Sequence, residues 1–102
     1  MDKLERIKQE LEKHYGSKNV MSAGIIEDMF GYPKDDTHSN GRRLIKQCAE
    51  KYGIPLGSTN DGYYIMTTEE ELDEYKANLD SRIEKIKDRK TLMENNYKEW
   101  HK

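Results

Sequence analysis

Between Thr37 and Lys51 the sequence reads THSNGRRLIKQCAEK, and on a helix turning about 100° per residue it separates into two faces. Gly41, Leu44, Ile45, Cys48, Ala49 and, one turn on, Tyr52 fall on one side, while Ser39, Asn40, Arg43, Lys46, Gln47 and Glu50 fall on the other, with Arg42 at the border. A guanidinium can hold both acceptors of guanine in a major groove, and a glutamine amide can do the same for adenine. Lysine is better suited to phosphate, which positions a protein without reading sequence. Arg42, Arg43 and Gln47 are therefore candidates for base edges, and Lys46 and Lys51 for the backbone. Ser39 and Asn40, with His38, stand at the helix start, where free backbone amides can also meet a phosphate. Glu50 in the midst of this face is what an ordinary solvated helix carries.

Other chemistries find less support. His14, His38 and His101 are scattered without a second ligand at metal spacing. Neither GxGxxG nor GxxxxGK[ST] occurs, so no glycine-rich loop cradles a phosphate. No Ser/His/Asp set or paired carboxylates stand out, and the expectation is a protein without catalytic residues, metal or cofactor. Cys48, the single cysteine, falls on the apolar side, the place of an inert buried thiol.

The elements that position the face follow from periodicity. Leu4, Ile7, Leu11 and Tyr15 predict a first helix from Asp2, its cap, to Tyr15 with Gly16 as its stop. Asn19–Met21 reads as a short extended piece, and Ser22 as the cap of a second helix carrying Ile25, Ile26, Met29 and Phe30 up to Gly31. PKDDTHSNG is turn chemistry, with a cap for the third helix, 37–52, expected at Thr37, Ser39 or a neighbour. GIPLGSTNDGYYIM then predicts a hairpin, with strands 54–58 and 63–66 turning at Asn60-Asp61-Gly62. Thr67 and Thr68 each precede a glutamate by three residues, a doubled capping box that launches the last helix.

That last helix carries Leu72, Tyr75, Leu79, Ile83, Ile86, Met93, Tyr97 and Trp100 at spacings mostly of three and four. Its roughly 33 residues reach about 50 Å at about 1.5 Å each, beyond a core about 28 Å across. Leu72, Tyr75 and Leu79 are expected to pack on their own domain. Ile83, Ile86, Met93, Tyr97 and Trp100 are left to meet a second copy in a homodimer, with Arg82, Arg89 and Lys90 interrupting a regular coiled coil. The division expected is a domain over 1–66 and a dimerisation helix over 67–102.

Composition agrees with one small domain: 102 residues, 33% hydrophobic and 37% charged, with a net charge of -2. The acidic balance excludes bulk attraction to nucleic acid, so any anion-binding surface must be local. Residues 37–51 supply one, with four basic residues to one acidic. The hairpin tip carries Asp61 and no cation, so Ser58, Thr59 and Asn60 are its donors to a backbone. No run of apolar residues approaches membrane-spanning length, no Asn-x-Ser/Thr acceptor occurs, and the N-terminal acids do not suit a signal peptide. A soluble, cytoplasmic protein is expected.

Helix, extended piece, helix, turn, helix and hairpin is the order of a winged helix-turn-helix followed here by a long helix: mainly α with a small β-hairpin. Over residues 41–102, the segments RRLI, GIPLGS, GYY and TTEEELDEYKANLDSRIEKIKDRK resemble those of small phage and prophage winged-helix proteins. The resemblance implies duplex DNA as partner, in replication or transcription control. By position, Arg42 and Arg43 match the paired basic residues of the reading helix, Gly53, Pro55 and Gly57 its exit, and Gly62, Tyr63 and Tyr64 the return strand. Pro33–Asn40 is longer and more acidic than the turn usual there. The alternative is an adaptor or inhibitor that keeps this fold and binds a host protein.

Overall fold

The computed structural model describes residues 2–102, as four helices and one two-stranded antiparallel sheet. α1 spans Lys3–Leu11, α2 Ala23–Phe30, α3 Ser39–Tyr52, β1 Leu56–Thr59, β2 Gly62–Ile65 and α4 Glu69–Trp100. Asp2 caps α1 by accepting from the Glu5 amide at 2.8 Å, and Ser22 caps α2 by accepting from Gly24 at 3.0 Å. Gly31 and Gly53, left-handed at φ 69° and 64°, end α2 and α3 as expected.

The first helix is shorter than its apolar spacing predicts. It stops at Leu11, and Tyr15, expected on its stripe, instead forms an isolated bridge to Ile65 and is 51% exposed. The competing partner is the free edge of β2. Its Ile65 amide donates to the His14 carbonyl at 2.8 Å, and its Ile65 carbonyl accepts from Gly16 at 3.0 Å. Farther along the same edge, Met21 and Tyr63 exchange both backbone bonds, at 2.7 and 2.8 Å. The chain between α1 and α2 thus satisfies an edge that would otherwise stand open.

The sheet register pairs Leu56 with Ile65 and Gly57 with Tyr64. A side chain at Gly57 would meet the Tyr64 ring at 2.4 Å, so the ring lies across the glycine and is 4% exposed, while Tyr63 is half-buried. The strands are shifted from the expected 54–58 and 63–66, with Thr59 and Gly62 included and Ile54, Pro55 and Met66 left out.

The core gathers Ile7 and Leu11 of α1, Met21, Ala23 and Ile26 of α2 and its lead-in, Leu44, Ile45 and Cys48 of α3, and Ile65 of β2. Cys48 lies at the contact of α1 with α3, its thiol donating to the Leu4 carbonyl at 3.4 Å, and burial pushes its acidity down, its pKa up. α2 and α3 come close together at Gly41, where an added Cβ would stand 2.3 Å from the Ala23 carbonyl oxygen. Beside it the Glu27 carboxylate is completely buried, accepting from the His38 ring at 2.7 Å and from the Gly41 amide at 3.3 Å.

Two compact units result, one ending at Leu72 and the other running over Asp73–Lys102. The first extends past the expected boundary at Met66 because Glu71 is tied into it. Its carboxylate accepts from the Thr67 amide at 2.8 Å and the Ser17 amide at 2.7 Å, bonds that hold it below the usual glutamate range. Thr68 caps the Glu71 amide at 3.1 Å, so the capping box is a single one with its return bond displaced to Thr67.

Loss of the buried carboxylate in Glu27→Ala leaves the Gly41 amide and the His38 ring without their partner, and should lower stability by about 2–3 kcal/mol in urea unfolding. Gly41→Ala, which forces α3 off the α2 backbone, should cost about 2 kcal/mol in the same measurement. His38→Ala, which leaves one oxygen of the fully buried Glu27 carboxyl without its partner, should cost at least as much as Glu27→Ala.

Candidate nucleic-acid interface

Five of the expected residues come together on α3. Ser39, Arg42, Arg43, Lys46 and Gln47, joined by Thr37 and Glu50, line one shallow open depression. All seven are exposed, and the opposite side of the same helix supplies the buried Gly41, Leu44, Ile45 and Cys48. Asn40 is half-buried beside them. Lys51 is differently employed: it lies 3.5 Å from Asp2 at the start of α1, whose charge raises its pKa. Thr59 and Asn60 are exposed at the hairpin tip and do not line the depression. There the Thr59 hydroxyl accepts from the Asp61 amide at 3.1 Å, so the turn holds itself.

The helix start differs from the sequence expectation. α3 begins at Ser39 rather than Thr37, and the residue before it, His38, is left-handed at φ 52° and offers no side-chain cap. The capping group is Asp35, four residues upstream of Ser39. One carboxylate oxygen accepts from the Thr37 and Ser39 amides, both at 3.1 Å, and the other from the Ser39 hydroxyl at 2.7 Å. The Ser39 hydroxyl, its amide and the further bonds from Thr37 and His38 hold the Asp35 carboxyl down to about 2. With Gly41 given to Glu27, two carboxylates already occupy the positive end of α3. A phosphate would meet both there, and the Ser39 amide and hydroxyl, which the sequence offered to a phosphate, donate to Asp35 instead.

Charge pairing sorts the remaining cations. In the first unit Lys8 pairs with Glu12 at 2.7 Å, Lys13 with Glu10 at 3.1 Å, Lys34 with Asp28 at 2.7 Å and Lys51 with Asp2. Among the described residues no carboxylate comes within 4.0 Å of Arg42, Arg43 or Lys46. The depression therefore keeps three unneutralised cations and one acid, Glu50. Chemically it can hold anions and present flat amide and guanidinium donors.

Asp35 and Glu27 were the site-forming residues that sequence reasoning passed over. A D-x-T-x-S string ahead of a helix was the available sign of the first, and the place of Glu27, one of two adjacent acids, on the apolar side of the helix Ala23–Phe30 was the sign of the second.

α4 carries no buried residue. Ile83, Ile86, Met93, Tyr97 and Trp100 are all exposed, Trp100 at 87%. Leu72 and Leu79, expected to pack, are exposed as well, at 43% and 37%, while Tyr75 is half-buried. Leu72, Leu79, Ile86, Met93 and Trp100 recur at intervals of seven, with Arg82 and Arg89 three residues after the second and third. Among the described residues no helix is long and apolar enough to cross a membrane, and no three His, Cys, Asp or Glu side chains gather as a metal site. No protein-family model, curated protein or solved structure matches the chain.

The lowered pKa of Asp35 fixes the sign of a pH effect. Its contribution to holding the start of α3 is fully present above pH 4, the ordinary aspartate range, and is lost as pH falls through about 2. Asp35→Asn should be less stable than the parent at pH 6, and thermal melts taken down to pH 2 should bring the two together.

Proposed function

We propose that this is a non-catalytic winged helix-turn-helix protein that binds duplex DNA, with α3 as the reading helix and the β1–β2 hairpin as the wing. The observation that carries the reading is the combination on α3: Arg42, Arg43 and Lys46 without carboxylate partners, set around Gln47 in one depression. Arg42, Arg43 and Gln47 would take base edges, and Lys46 a phosphate. The resemblance to small phage and prophage proteins supports a role in the replication or transcription control of a phage or other mobile element, inside the cytoplasm. Retarded migration of duplex DNA at about 50 mM salt tests it, since each neutralised phosphate contributes about 0.9 to the salt slope. The parent should retard DNA and Arg43→Ala/Lys46→Ala should not; a parent that leaves DNA unshifted under these conditions overturns the reading.

The same proposal includes self-association through α4. Ile83, Ile86, Met93, Tyr97 and Trp100 form an apolar stripe whose members are each at least 48% exposed, and monomeric soluble proteins rarely leave so long an apolar surface open to water. Light scattering should give a dimer for the full chain and a monomer for a chain stopped after Leu79. A monomeric full chain rules the dimer out.

A second reading, an adaptor or inhibitor binding a host protein, is favoured by the hairpin tip, where Asp61 stands and no cation does. It predicts capture of a protein without retardation of DNA.

A further inference from the structure

Tyr32, just past the end of α2, links the α3 face to the beginning of α1. Its hydroxyl accepts a hydrogen bond from the Lys3 ammonium, which also stands 4.7 Å from the centre of its ring. The same ammonium lies 5.3 Å from the Phe30 ring, and the Arg6 guanidinium lies 4.9 Å from it. Lys3 first, and Arg43 with it, draw the Tyr32 phenol below its usual range, so Arg43 acts on the same hydroxyl from α3. Two cations of α1 thus stand over two half-buried aromatic residues, and the charge of Arg43 is felt at the Tyr32 hydroxyl.

None of the three is neutralised. Among the described residues no carboxylate comes within 4.0 Å of Lys3, Arg6 or Arg43. The nearest acid in sequence, Asp2, is turned to the Glu5 amide and to Lys51. An aromatic face attracts a cation through its quadrupole, and a neutral hydroxyl accepts from it, yet neither removes its charge. Lys3 and Arg6, three apart, project on one side of α1. The rings hold these long side chains in place, which lowers the ordering cost of binding an anion.

We infer that Lys3 and Arg6, held over Phe30 and Tyr32, form with Arg43 of the α3 depression a phosphate-binding patch that grips the backbone of duplex DNA, extending the interface onto α1. The inference rests on the DNA-binding reading above. Arg43 belongs to both surfaces; Lys3 and Arg6 lie outside the expected site altogether. Because the ligand is phosphodiester and not a base edge, the patch contributes affinity without sequence preference.

The test is the salt dependence of DNA affinity, measured by fluorescence anisotropy on two unrelated duplexes. Lys3→Gln/Arg6→Gln should lower the logarithmic salt slope by about 1–2, from about 0.9 per phosphate released, and by the same amount on both duplexes. Lys8→Gln/Lys13→Gln removes the same number of charges close by, but from lysines already paired, and should leave the slope within about 0.5 of the parent. Tyr32→Phe keeps the ring and loses the hydroxyl, so it should lower the slope by less than the double variant. Circular dichroism verifies the fold, and Lys3→Gln alone, with about half the effect, serves if the double variant melts early. Binding by Lys3→Gln/Arg6→Gln with the parental slope, or an equal fall in the Lys8/Lys13 pair, overturns the patch and leaves the DNA reading standing. A parent that binds neither duplex overturns both.

Discussion

The buried Glu27 carboxylate at the junction of α2 and α3 is the interaction on which the remaining geometry depends. A carboxyl group wholly removed from water is tolerable only when its oxygens are satisfied, and here one meets the His38 ring and the other the Gly41 amide. That requirement draws the first turn of α3 onto α2, and only a glycine at position 41 allows the backbones so close. The left-handed turn at His38 follows from it, since the chain must bring the imidazole back over α2 before the helix begins. Rotation of α3 about its own axis is thereby fixed. Which side chains face outward is decided by a contact on the inward side.

Fixing the helix from its start also determines where positive charge remains available. Helix N-termini are common anion sites, but Asp35 and Glu27 fill this one from within the chain. What attraction for anions remains belongs to side chains farther along α3, at Arg42, Arg43 and Lys46, and to Lys3 and Arg6 on α1. The hairpin is secured by different means. Its β2 edge is closed by the chain around Tyr15 and Met21, and the Tyr64 ring packs across Gly57, so the sheet is anchored at its base while Thr59 and Asn60 remain in water.

Element order, the hairpin and the two faces of α3 could all be read from residue pattern, because 3.6-residue and alternating periodicities report directly on burial. The end of α1 could not. Tyr15 continues the helical stripe perfectly well, and only the distant edge of β2, fifty residues on in the chain, offers it a better partner. Asp35 and Glu27 were hidden for a related reason: a carboxylate in a turn or on a short helix has the same appearance whether it meets water or a backbone amide. The depression on α3 was legible residue by residue. Its pairing state was not, since only three-dimensional proximity separates Lys51, held by Asp2, from Lys46, held by no acid.

The division of α3 into a face that packs and a face that does not bears on how the protein can diverge. Arg42, Arg43, Lys46 and Gln47 contribute no side chain to the core, and the clamp at Glu27 and Gly41 makes no use of them. Replacements at these four positions leave the folding free energy nearly untouched, as surface changes away from caps and buried partners generally do. One set of outward residues can therefore be exchanged for another without passing through an unstable intermediate. Stability is carried by one side of this helix, and the other side can change without loss of it.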